Sequence, residues 1–381
     1  MHPLPLGPGL VLLIAATAVW AAPLAGLAAA GMPIAGYLPF PPRTAFVAHA
    51  PFEWIGFAVL ALPVAGAVAL YWFAITRARS GTVLRPRSLF PRWGWLGVAL
   101  IATGWFLAWH GGGLPPEWRR HTFTPLWLGY VVAVNGLALR RFGWSLLTHR
   151  RRLFVALFPA SVVFWWLFEY LNQFVGNWYY AGVVARNDWD YFLQASLPFS
   201  TVLPAVASTW SWLRQFARLD ALALPALRLH PMLAWLALAG GLAALAGIGI
   251  WPDALFSMLW IAPLLVLWAL QELLLGETLL TPLRHGDWRP LLQPALAALI
   301  CGFFWELWNF GSLAKWHYCI PYVQRFRLFE MPLLGYAGYL PFGVACALVS
   351  DLVARTVERR ALWPLGPRQS DPVRESGTDS D

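Results

Sequence analysis

Two short stretches carry the residue types that acid–base chemistry uses. FEYLNQFVGNWYY at 168–180 sets Glu169 and Asn172 ahead of Trp178 and Tyr180, and FWELWNFGSLAKWHY at 304–318 sets Glu306 and Asn309 ahead of Trp316 and Tyr318. Helical residues i and i+3 share a face, so each Glu–Asn pair projects a carboxyl and an amide the same way. A partly desolvated carboxyl can donate a proton near neutral pH, and aromatic faces can stabilise a transient cation. Glu169 and Glu306 are therefore the candidate acid and base. Asn172 and Asn309 are candidates for orienting them, and Trp178, Tyr180, Trp316 and Tyr318 for lining a substrate. Glu330 opens the last apolar segment and is a further candidate substrate contact. For Glu330 and Glu53 alike, solvation at a helix N-terminus, where negative charge is favoured, is the simpler role.

The elements that hold these residues follow from composition. The 381-residue chain is 59% hydrophobic and 12% charged, against about 25% charged in soluble proteins. A helix needs about 20 apolar residues to cross the hydrocarbon core. Ten such runs lie near 9–31, 53–75, 93–110, 123–139, 153–174, 194–213, 230–250, 252–275, 291–312 and 330–354. Only Trp251, Pro252 and Asp253 separate the seventh from the eighth, which predicts a tight hairpin. With the N-terminus inside, the outer connections hold Arg43, Arg119, Arg120, Arg186, Lys315, Arg325 and Arg327, and the rest of the 27 basic residues fall in the inner ones. That is the positive-inside bias of a bacterial inner-membrane protein with both termini cytoplasmic. It accounts for the net charge of +9 without nucleic acid. Alanines 28–30 leave open cleavage of the first span, although no basic segment precedes it.

The expected architecture is an all-α integral membrane helical bundle of about ten spans. It forms one domain over 1–360, followed by a disordered cytoplasmic tail at 361–381. Spans five and six match spans nine and ten in order and orientation, a parallel two-helix repeat over about 153–216 and 291–355. Each copy reads ExxN, then WxY, then a span containing proline: Pro198 and Pro204 in one, Pro332 and Pro341 in the other. A parallel repeat places its axis along the membrane normal and brings equivalent residues toward one interface. Lys315 and His317 have no counterparts in the first copy and fall outside the expected core.

Depth tempers the reading. Glu169 follows Arg152 by about 25 Å of helix, and Glu306 follows Pro290 by about 24 Å, so both carboxyls are expected in the outer third of the membrane. There a plainer role is available: ExxN ties a helix end to its loop while the glutamate reaches interfacial water, and Trp and Tyr sit in the interfacial belt. His49, His110, His121 and His317 share the outer side but lack metal-ligand spacing. The three cysteines form no CxxC pair. No metal or cofactor is expected, and no phosphate-binding or nucleophile motif occurs.

WEL at 305–307, Tyr318 and MPLLG at 331–335 resemble the small lycopene cyclase and carotenoid hydratase type of membrane carotenoid enzyme, across spans five, six, nine and ten. The chain as a whole resembles an uncharacterised family of bacterial polytopic membrane proteins. The first resemblance implies a membrane isoprenoid as substrate. The expected activity is thus an enzyme handling a lipid or hydrophobic small molecule at an outer-leaflet site. A proton-coupled transporter of a small or amphipathic solute is the alternative, and a non-catalytic assembly protein a third.

Overall fold

Lipid offers no partners to a backbone N–H or C=O, so an apolar run must satisfy them internally and becomes a helix. The computed structural model of the chain, which describes residues 6–78, 89–227 and 229–364, has that form. Its longer helices are α1 (Pro8–Ala29), α2 (Trp54–Arg77), α3 (Arg92–His110), α4 (Phe123–Phe142), α5 (Arg151–Val175), α6 (Asp188–Phe199), α7 (Val202–Leu213), α8 (Met232–Gly247), α9 (Met258–Leu275), α10 (Arg289–Gly311) and α11 (Tyr339–Val357). The extended pieces among the described residues are brief: β1 (Trp178–Ala181) pairs with β2 (Lys315–Tyr318), and β3 (Arg327–Leu328) with β4 (Met331–Pro332).

Among the described residues six helices are long and apolar enough to cross a membrane: α1, α2, α5, α9, α10, and Leu333–Val357, in which a 3-10 turn runs into α11. The chain is a multi-span helical membrane protein. α11 is the central helix and packs on α1, α5, α7, α9 and α10. α2 stands at the periphery, with Val59, Leu62, Val68 and Trp72 exposed. In a lipid solvent such side chains are already in their preferred medium.

The connections gather at two ends of the bundle. At one end His49 meets Asp253 at 2.6 Å and the Gly176 carbonyl at 3.2 Å, and Asn177 donates to the Phe256 carbonyl. At the other, Arg150 pairs with Glu358, Arg289 with Asp220 and Asp287, and Arg355 with Glu277. The expected 251–253 hairpin is present as the short link between α8 and α9. Of the expected disordered tail, residues 361–364 are described and partly packed: Leu362 is buried and donates its N–H to Asp351, and Trp363 stacks on Trp210. Residues 365–381 lie outside the described part.

One expected span is corrected. The run 194–213 is not a continuous helix but breaks at Ser200 and Thr201, between α6 and α7. Pro204 cannot donate the N–H that a helix through the break would require of it, and Ser161 of α5 makes the break tolerable. Its hydroxyl donates to the Phe199 carbonyl at 2.5 Å and accepts from the Leu203 N–H at 3.1 Å. One buried side chain thus satisfies a backbone group on each side of the break. Ser161→Ala should orphan both and lower stability by about 1–3 kcal/mol. Thermal unfolding in detergent would show this as a lower midpoint than wild type, and an unchanged midpoint would refute the role.

Candidate functional site

α5 ends at Gly176, whose φ of 60° suits the left-handed capping position and whose N–H bonds to the Asn172 carbonyl. The chain then turns into β1. α10 ends at Gly311, and Ser312 bonds back to the Asn309 carbonyl before the chain reaches β2. The two strands are antiparallel, pairing Trp178 with Tyr318, Tyr179 with His317, and Tyr180 with Trp316. The Trp of each WxY therefore faces the Tyr of the other, and the register is symmetric about the Tyr179–His317 pair.

Both asparagines do the same work, and it differs from the expected one. Asn172 donates to the Trp178 carbonyl at 2.7 Å and accepts from its N–H at 3.3 Å. Asn309 treats Trp316 likewise, at 2.9 Å for both bonds. Each amide clamps the backbone of a strand residue to the end of the preceding helix. Asn172 donates its amide to Thr44 Oγ1 as well, at 3.0 Å, and neither amide bonds a carboxyl, so they set the carboxyl site through the tryptophans rather than by holding the glutamates.

The glutamates do not reach interfacial water. Glu169 is 2% exposed and Glu306 0%, and their partners are aromatic donors. Tyr180 donates to Glu169 Oε1 at 2.6 Å, joined by Trp165 Nε1 at 2.9 Å and Trp178 Nε1 at 3.2 Å. Tyr318 donates to Glu306 Oε1 at 2.7 Å, joined by Tyr339 at 2.8 Å. Burial, and then the adjacent carboxylate, hold the Tyr180 and Tyr318 phenols well above a tyrosine's ordinary value, so both remain protonated donors.

The two carboxyls differ in a way that traces to one position. Trp165 stands four residues before Glu169, on the same helical face. The position four before Glu306 is Gly302, where a Cβ would overlap the Tyr339 ring. The space that an indole fills beside one carboxyl is thus left to a phenol from α11 beside the other. Trp316 donates its Nε1 to the Tyr318 hydroxyl at 2.8 Å. Glu306 Oε2 is left buried with no hydrogen-bond partner among the described residues, whereas Glu169 Oε2 has the Trp178 indole at 3.4 Å. Helical spacing could have pointed to Trp165. Nothing local in sequence points to Tyr339.

Trp178, Tyr180, Trp316 and Tyr318 line one cavity with Trp165, Phe199, Trp260, Trp305 and Tyr339. Its volume is about 160 Å³, against the roughly 10–15 Å³ that a single water needs. The glutamates stand behind the tyrosines, so deep in the cavity the polar groups presented are phenol and indole, while Arg120, His121, Gln194 and Lys315 also contribute to its lining. Glu330 is elsewhere. It accepts from Lys315 Nζ at 2.6 Å and pairs with His317 Nδ1 at 3.2 Å, tying the β3–β4 turn to β2. Lys315 and His317, set aside from the sequence, thus have a structural partner. Glu53 caps α2 by accepting from the Ile55 and Gly56 N–H groups, which matches the simpler role. The chain matches no family model, no curated protein and no solved structure.

Asn309→Ala should cost about 1–3 kcal/mol through loss of the Trp316 clamp; unfolding midpoints would reveal it, and an unchanged midpoint would count against the clamp. Burial alone would raise the Glu330 carboxyl, but Lys315 and then His317 outweigh it and hold it below its ordinary 4.5. A depressed folded value gives stability that is present above the ordinary value and lost as pH falls through the depressed one. The midpoint of Glu330→Gln should therefore fall less steeply than wild type as pH drops below about 4.5. Parallel slopes would exclude the ion pair as the cause.

Proposed function

We propose that this chain is a multi-pass enzyme of the bacterial inner membrane, acting on a lipid or isoprenoid at an outer-leaflet site by carboxyl acid–base chemistry relayed through tyrosine. The proposal includes ten crossings with both termini cytoplasmic, and segments 153–216 and 291–355 as copies of one two-helix unit. The observation that carries it is the pair of cavity-lining tyrosines, Tyr180 and Tyr318, each hydrogen-bonded to its own buried carboxyl.

The chemistry follows from that arrangement. When Glu306 is protonated its bond with Tyr318 runs the other way: Glu306 donates to the Tyr318 oxygen and Tyr318 turns its O–H to a substrate double bond. Protonating the double bond then passes the Glu306 proton to Tyr318 and leaves a carboxylate, and the reverse transfer takes a proton from the product cation. Aromatic walls formed by Trp165, Trp178, Trp260, Trp305 and Trp316 offer π faces to the positive charge that protonation creates. Glu306 is the better candidate for the mobile proton because one of its oxygens is unpartnered. Glu169 is saturated by Tyr180, Trp165 and Trp178 and suits a fixed negative partner to a cationic intermediate. The resemblance at 305–307, Tyr318 and 331–335 to carotenoid enzymes leans the same way.

The test compares lipid and isoprenoid extracts from cells with wild-type protein, with none, and with Glu306→Gln or Glu169→Gln at matched expression. Loss of a positioned acid–base costs about 10²–10⁴-fold in rate, so Glu306→Gln should reproduce the extract of cells without the protein. Glu169→Gln should retain more activity than Glu306→Gln. Extracts indistinguishable between cells with and without the protein would end the enzymatic reading.

A further inference from the structure

The mouth of the aromatic cavity differs in kind from its interior. Deep residues are buried and aromatic: Trp178, Phe199, Trp305 and Tyr339. Toward solvent the lining includes Arg120, His121 and Lys315, beside the exposed Val183 and Val184. Among the described residues no carboxylate lines it.

The three basic groups are not equally available. Lys315 is held by Glu330 at 2.6 Å, and His121 lies close enough to Asp190 for their charges to interact. Arg120 is held more loosely than Lys315. Its ion pair with Glu117 is long, 3.8 Å, and reaches a largely exposed carboxylate. Its buried Nε has no hydrogen-bond partner among the described residues, while the side chain is 26% exposed. A loosely paired guanidinium at the edge of an apolar cavity suits a phosphate or carboxylate, which its planar fork binds through two parallel bonds.

We propose that the cavity takes an amphiphile with an anionic, phosphate-type head, the head bound by Arg120 with Lys315 and His121 beside it and an unsaturated apolar tail among the tryptophans. This rests on the reading of the cavity as a lipid or isoprenoid site and adds which class of lipid enters it. A cationic head would meet three basic groups at the entrance.

The test is equilibrium binding to the full-length protein in nanodiscs of neutral phosphatidylcholine, using radiolabelled farnesyl phosphate and farnesol, with inorganic phosphate as competitor. Farnesyl phosphate should bind about tenfold or more tightly than farnesol, the worth of a hydrogen bond to a charged group. Arg120→Gln should erase that difference while leaving farnesol binding unchanged, which also shows that the variant is folded. Equal affinities for the two ligands, insensitive to Arg120→Gln, would overturn the anionic head and leave the apolar cavity standing. Binding of neither ligand would overturn both. Competition by inorganic phosphate as strong as by farnesyl phosphate would overturn the amphiphile in favour of a simple anion site.

Discussion

A carboxyl buried in a helical bundle must be given hydrogen-bond donors, because burial without them costs far more than a helix end can tolerate. Two such carboxyls, Glu169 and Glu306, set the terms for this end of the molecule. Trp178, Tyr180 and Tyr318 of the β1–β2 ribbon donate to them, joined by Trp165 of α5 and Tyr339 of α11. The ribbon in turn needs an anchor, and Asn172 and Asn309 provide it by clamping the backbones of Trp178 and Trp316. Helix ends, asparagine clamps, paired strands and tyrosine donors form one closed circuit. Breaking any part would leave a buried charge or amide unpaired.

Within that circuit the two halves are alike in backbone and unlike in chemistry. The WxY stretches meet in symmetric register, and each tyrosine serves the glutamate of its own half. A single small residue, Gly302 where Trp165 stands in the other half, admits Tyr339 from the central helix. The donors then divide differently: one carboxyl is surrounded, while the other keeps an oxygen free. Similar scaffolds carrying different donor sets are a direct way to assign distinct roles to two identical acids, because environment rather than residue type sets what a carboxyl does.

The far end of the bundle is built on a different principle. Its polar groups pair as ions, with Arg150 on Glu358, Arg289 on Asp220 and Asp287, and Arg355 on Asp351 and Glu277. Arg355–Asp351 and Arg289–Asp287 are local, but Arg150–Glu358, Arg289–Asp220 and Arg355–Glu277 join segments distant in sequence at the end of α11 and around it, where α5, α7, α9 and α10 pack on α11. The position of Tyr339 at the start of α11 depends on that packing, so the carboxyl site is supported from both ends.

The sequence by itself determined that this chain is a membrane bundle, and it singled out Glu169, Asn172, Trp178 and Tyr180 with Glu306, Asn309, Trp316 and Tyr318, which the structure gathers about one ribbon. Both are local properties: apolar runs of spanning length force helices in lipid, and ExxN with WxY can be read twice along the chain. Only the tertiary structure decided what those residues touch. The asparagines hold backbone rather than carboxyl, and Glu330 serves Lys315 and His317. Ser161 permits the break at 200–201, and Tyr339 reaches Glu306 across 33 residues of chain. The physical reason is common to all four. A buried polar group is satisfied by whichever donor or acceptor packing brings within about 3 Å, and packing joins segments whose separation in sequence carries no sign of the meeting.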